Sequence, residues 1–248
     1  MQHLPILLGA GFVAGVMNAV AGGGSFVSFP ALLFAGVPAV AANASSTVAL
    51  WPGSLTSLYG YRGGFLGLRG VPLSALLAVS VTGGLIGALL LLFTPEGAFN
   101  VIVPWLLLLA TLTFAFGGRV GLALRRRVRI GALPLLVIQF VLAIYGGYFG
   151  GAVGIMVLAV WSLLGSADVV AYNPLKVLFV SACNSVATLC FVLSGTVWWP
   201  QTLAMLAAAA AGGYVGARLG RVMRPGLVRI AILAVSAAMT AVFFRRAF

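Results

Sequence analysis

Apolar residues run along this chain in ten blocks, separated by short stretches of Gly, Pro, Arg and small polar residues. The blocks fall at 4–21, 25–36, 40–61, 71–93, 99–117, 131–148, 152–165, 169–194, 199–219 and 227–244. A bilayer-crossing helix needs about 20 apolar residues. Blocks 25–36 and 152–165 reach only about 18–21 Å as helix, against a hydrocarbon core of about 30 Å. Each short block follows a glycine cluster, Gly22-Gly23-Gly24 in one case and Gly150-Gly151 in the other. The pattern predicts an all-α polytopic membrane protein whose helices are short or broken after those glycines.

The two short blocks stand at corresponding places, which points to an internal repeat. Gly36 and Gly165 match at a shift of 129 residues, as do Ala41-Ala42 and Val170-Ala171. Gly83-Gly84-Leu85-Ile86-Gly87-Ala88 is echoed by Gly212-Gly213-Tyr214-Val215-Gly216-Ala217, a shift of about 129 residues. The first repeat is read as 1–124 and the second as 130–248, with about five hydrophobic segments each. A basic cytoplasmic linker, 125–129, joins them.

Charge says how the halves are related. In the first half Arg62 and Arg69 follow the third segment, and only Glu96 follows the fourth. In the second half the loop at 195–199 carries no charge, while Arg218, Arg221, Arg224 and Arg229 follow the fourth segment. Cytoplasmic loops are enriched in Lys and Arg, so corresponding loops are expected on opposite sides. An odd number of crossings per half gives that inverted arrangement, with both termini outside. Arg245 and Arg246 run against it. Four full crossings per half with re-entrant short segments rank second.

Composition narrows the function classes. Charged residues make up 6% of the chain and mean hydropathy is +1.19, whereas soluble domains carry about 25% charged residues. The net charge of +12 lies between apolar runs rather than along a polar stripe, so nucleic acid is not an expected partner. His3 is the one histidine, and no ligand cluster for a metal or cofactor is legible. Cys183 and Cys190 share a helix face but lie about 10 Å apart along it, too far for a disulfide. The N-terminus lacks the basic region of a signal peptide. The expected location is a bacterial inner membrane, multi-pass.

Inverted repeats holding short, Gly-interrupted helices are a sign of a secondary transporter. A helix broken in hydrocarbon leaves backbone groups unpaired, and such a break survives where those groups line a cavity or meet a ligand. The N-terminus of a half-helix carries partial positive charge and free N–H donors, which suits an anion. The candidate binding residues are therefore Gly22, Gly23, Gly24 and Ser25 at the first break, and Gly150 and Gly151 at the second. The polar residues that follow join them: Asn43, Ser45 and Ser46 in one half, and Tyr172, Asn173, Lys176 and Asn184 in the other. Lys176 is the single lysine of the chain and has no charged counterpart in the first half; ionisable residues inside a membrane are costly and mark function.

Plainer readings stand beside these. Gly83, Gly87, Gly212 and Gly216 fit close helix packing better than a site. Ser and Thr often bond their own helix, and Lys176 could snorkel to an interface. Asp168 reads as a loop charge or helix cap. Trp51, Trp198 and Trp199 read as interface anchors. An intramembrane enzyme would need a nucleophile with a base or metal, and no His, Asp or Glu falls in a span. The expected partners are a small anionic substrate and the lipid bilayer, with a homodimer as the candidate assembly.

Gly22-Gly23-Gly24 after an apolar helix, followed by Pro30, Gly36 and Ala42-Asn43-Ala44-Ser45-Ser46, resembles the TauE/SafE family of sulfite and organosulfonate exporters. Gly146-Gly147-Tyr148-Phe149-Gly150-Gly151 is similar to that family's repeated glycine motif, although Ala152-Val153 follows where a denser glycine run is usual. The likeness covers about 10–245. It implies alternating-access transport of a small sulfur-containing anion such as sulfite, thiosulfate, sulfoacetate or another sulfonate, linked to the proton gradient. With no carboxylate in a span, Lys176, a tyrosine or the substrate would carry the proton. An uncoupled anion channel, or a transporter of another small organic anion, is the alternative.

Overall fold

A computed structural model describes residues 3–21, 23–60, 67–68, 70–125, 130–164, 172–219 and 225–247. Among the described residues there are ten α-helices and no strand. The first half holds α1 (Leu4–Ala21), α2 (Ser25–Phe34), α3 (Ala39–Gly60), α4 (Leu73–Phe93) and α5 (Glu96–Arg125). The second holds α6 (Ala132–Tyr148), α7 (Val153–Trp161) with a 3-10 turn (Ser162–Leu164), α8 (Asn173–Leu193), α9 (Trp199–Leu219) and α10 (Pro225–Ala247). Helices over Leu73–Phe93, Glu96–Leu124 and Asn173–Leu193 are long and apolar enough to cross a membrane, and shorter apolar helices accompany them. Phe93, Leu133, Leu189 and Leu193 point outward, as the surface of a protein dissolved in lipid requires.

The short helices are interior elements. α2 has 10 residues and α7 has 9, and both are sheathed by longer helices. Phe26, Phe29 and Leu32 of α2 and Val157 and Trp161 of α7 are almost wholly buried. Phe29 meets Phe99, Phe149 and Phe243 ring to ring. α2 stops at Gly36, whose φ of +83° favours glycine. The Gly36 amide then donates to the Leu33 carbonyl at 3.0 Å and the Val37 amide to Leu32 at 3.1 Å, which closes the helix end.

Each short helix runs back to the end at which the preceding helix began, rather than turning on itself. The ring of Phe34, at the end of α2, lies 5.5 Å from that of His3 beside the start of α1. The Ile130 amide, just before α6, donates to the Leu163 carbonyl just past α7 at 3.4 Å.

The main helix contacts run between the halves: α1 on α9, α4 on α6, α3 on α8 and α5 on α10. Exchanging each helix with the one five places along leaves those four pairings unchanged. Thr111 and Thr240 share a hydrogen bond at 3.1 Å although 129 residues apart. A residue meets its own counterpart only near an axis that interchanges the two. Glycines permit the tightest crossings. A Cβ on Gly216 would lie 2.8 Å from the Val16 Cα, and one on Gly83 would lie 2.9 Å from the Phe140 carbonyl oxygen, closer than real side chains come. The packing role of these glycines is thus direct.

Trp51 departs from the sequence reading. It is half-buried, and its indole donates from Nε1 to the Ser185 hydroxyl at 2.9 Å, tying α3 to α8. Trp198 and Trp199 are exposed. Cys183 and Cys190 are free thiols. Asp168 and most of the basic linker lie outside the described residues.

Candidate functional site

A cavity of about 230 Å³ lies where the two glycine breaks meet α3 and α8. A water molecule's share of the liquid is about 30 Å³, so the space holds a small anion and some water. The end of α1 contributes Asn18, the start of α2 contributes Ser25, and α3 contributes Thr47, Leu50 and Ser54. The turn into α7 contributes Gly150 and Ala152 to Ile155, and α8 contributes Asn173, Lys176, Val177, Val180 and Asn184. The wall is therefore part amide and hydroxyl, part branched aliphatic, with one ammonium group.

Hydrogen bonding separates the polar groups that serve the fold from those left for a ligand. Thr47 donates to the Asn43 carbonyl at 3.0 Å and Ser54 to the Trp51 carbonyl at 2.7 Å. Asn18, Ser25 and Asn184 have no side-chain partner among the described residues. Lys176 Nζ donates to Asn173 Oδ1 at 3.0 Å, which leaves further N–H donors for the cavity.

The backbone adds to this. The α6 helix ends at Gly150, with φ at +80°, and Ala152 before α7 is also left-handed at +57°. That turn lets α7 start inside the bundle. The Ile155 and Met156 amides are taken by the Ala152 carbonyl. The Val153 and Gly154 amides, one step earlier and on the cavity wall, make no backbone hydrogen bond among the described residues. At the first break the Phe26, Val27 and Ser28 amides are already bonded to the Gly23 and Gly24 carbonyls. Helix-end donors therefore gather at α7 more than at α2.

Of the residues singled out from the sequence, Ser25, Gly150, Asn173, Lys176 and Asn184 come together on the cavity. Others serve packing. Asn43 Nδ2 donates to the Tyr148 carbonyl at 2.8 Å. Ser45 accepts from the Trp198 amide at 3.0 Å, and Ser46 bonds Ser28 at 2.6 Å. The Gly151 carbonyl accepts from the Tyr145 hydroxyl at 2.8 Å. Tyr172 is buried with its ring edge-on to Trp161. Gly23 and Gly24 are buried at the first break, where a Cβ on Gly24 would lie 2.6 Å from the Ala14 carbonyl oxygen. Gly22 lies outside the described residues. Asn18, like Ser54, is a polar lining residue that was not singled out from the sequence. Its signal was an amide in an otherwise apolar run, four residues before Gly22.

Glu96 is the one acidic side chain among the described residues, and it is engaged elsewhere. Its carboxylate accepts from the Val40 amide at 3.1 and 3.3 Å, capping the start of α3. Tyr148 donates to the Thr94 hydroxyl at 3.2 Å close by. These ties and the Ser45–Trp198 bond gather at the end of α8 away from Lys176.

The profile of the family described as Sulfite exporter TauE/SafE matches residues 7–243. A probable membrane transporter protein of Haemophilus influenzae is 34% identical over 242 residues, covering 96% of this chain and 93% of the relative. The probable membrane transporter protein YfcA of Escherichia coli K12 is 30% identical, covering 96% of this chain and 89% of the relative. The probable membrane transporter protein ORF9 of a Sinorhizobium species is 27% identical, covering 92% and 89%. No solved structure matches the chain.

Proposed function

The chain belongs to the sulfite exporter TauE/SafE family, and from that premise we propose that it moves a small sulfur-containing anion across a bacterial inner membrane by alternating access. The observation that carries the reading is the convergence on one cavity of the Lys176 ammonium, the Val153 and Gly154 amides of α7 and the uncommitted amides of Asn18 and Asn184. Such donors hold the oxygens of a sulfite, thiosulfate or sulfonate group, and a lone ammonium in a membrane interior gains from a counter-ion.

The halves are taken as inverted, with His3, Glu96 and Trp198 at the outer face and the arginine-rich loops at the inner face. Lys176 then stands toward the inner face. Opening outward would break the Glu96–Val40, Tyr148–Thr94 and Ser45–Trp198 ties. Proton linkage would pass through Lys176 or through the anion itself. The engagement of Glu96 at the far end also favours a second reading, uncoupled carriage of the anion.

Reconstituted protein tests both. Proteoliposomes should take up sulfite, thiosulfate or sulfoacetate, and Lys176→Met should lower that flux at least ~10-fold, as expected for loss of a desolvated charge contact. Flux at the wild-type rate in Lys176→Met rejects the site. Flux indifferent to a pH gradient selects the uncoupled reading.

A further inference from the structure

Gly154 is the second residue of α7, and nothing in its backbone calls for glycine. Its φ is not among the positive ones, and glycine is a poorer helix former than alanine. What glycine supplies there is space. A Cβ at this position would lie 3.3 Å from Lys176 Cδ, 3.6 Å from Cγ and 3.7 Å from a Val180 methyl. The aliphatic stem of Lys176 thus lies across the first turn of α7, in the room a side chain would take. The second residue of the other short helix, α2, is Phe26, which is 1% exposed. One half places its bulk on the short helix. The other moves it to the lysine stem.

We infer that Gly154 and Asn173 form a seat that positions Lys176. Gly154 fixes the stem, and Asn173 Oδ1, one turn before Lys176 on α8, takes one N–H at 3.0 Å. The remaining N–H groups then face the cavity beside the Val153 and Gly154 amides. The lysine head is held in one place before an anion arrives, so little freedom is lost on binding. The inference rests on the anion site proposed above, but it concerns how the lysine is held.

Lys176 is the single lysine of the chain, so reductive methylation with 13C-formaldehyde puts one side-chain label on the full-length protein, distinct from the N-terminal amine. Dimethylation keeps the charge. In detergent, without any ligand, the lysine resonance should move in Gly154→Ala, move further in Gly154→Leu, and move in Asn173→Ala. A resonance unchanged in Gly154→Ala and Asn173→Ala, in protein as monodisperse as wild type, overturns the seat. Sulfoacetate titration adds a coupling test. Gly154→Ala should weaken binding ~3–10-fold with Lys176 present and less than ~2-fold in a Lys176→Met background, as for residues in contact. An equal loss in both backgrounds means Gly154 acts without the lysine, which also overturns the seat. Binding that Lys176→Met leaves intact rejects instead the anion site itself.

Discussion

At the residue scale, what distinguishes a ligand group from a structural one is whether its hydrogen bonds are already spent. Ser46 and Asn184 are both polar residues inside apolar helices. Ser46 is buried against Ser28, whereas Asn184 faces the cavity with no partner among the described residues. The two should therefore respond differently. Asn184→Ala and Asn18→Ala should each weaken anion affinity ~5–20-fold, matching ~1–2 kcal/mol for a lost polar contact. Both should leave thermal stability near wild type. Ser46→Ala should lower stability by ~1 kcal/mol and leave affinity within ~2-fold. Calorimetric titration paired with a melting curve reads both quantities on one preparation.

The same contrast marks the limit of what the sequence discloses at this scale. The run Asn43, Ser45, Ser46 and Thr47 reads as one polar patch. On a helix, successive residues point about 100° apart. These four accordingly reach Tyr148, Trp198, Ser28 and the cavity in turn. Lys176 was legible because a lone cation in an apolar span is conspicuous. Asn18 was not, because one amide in a long apolar run carries no periodic signal. The inward turn of Trp51 depends on Ser185, a partner 134 residues away.

At the element scale the glycines divide into two kinds. Gly36 and Gly150 hold positive φ angles and end helices. Gly15, Gly83, Gly87, Gly212 and Gly216 lie in helices and bring backbones together. Gly150 was readable as a break, and Gly83, Gly87, Gly212 and Gly216 as close packing, since small residues at four-residue spacing do that in membranes. Which helix each glycine stripe meets was not readable, because α1 finds α9 and α4 finds α6 across the halves. The left-handed Ala152 was also invisible, as alanine gives no sign of such a conformation. The crossings yield a prediction. Gly216→Leu puts a branched side chain where a Cβ alone lies 2.8 Å from the Val16 Cα. It should abolish a monodisperse peak in size-exclusion chromatography, while Gly97→Leu, on an exposed and open site, should not.

At the scale of the whole molecule, an all-helical membrane protein was fixed by composition and block length, since 6% charged residues cannot face water over most of a surface. The break positions followed from the glycine clusters. The exchange of packing partners between halves, and the meeting of Thr111 with Thr240, needed three dimensions. The inverted reading predicts that cysteines placed at His3 and at Gly97 label from outside intact cells, whereas one at Arg127 labels only after permeabilisation. Labelling of Arg127→Cys from outside would reverse the assigned orientation. Labelling of the His3 and Gly97 positions from different sides would contradict the odd number of crossings.

The central claim is that an anion sits between the α7 N-terminus and Lys176, so the most direct measurement is to see one there. Crystals grown with 2-bromoethanesulfonate carry an anomalous scatterer on a small sulfonate. The bromine peak should fall inside the cavity bounded by Asn18, Lys176 and Asn184, with the sulfonate oxygens within hydrogen-bond distance of Lys176 Nζ, and it should vanish in Lys176→Met. A peak confined to the lipid-facing surface or the arginine loops, with this cavity empty of the ligand at saturating concentration, would contradict the account.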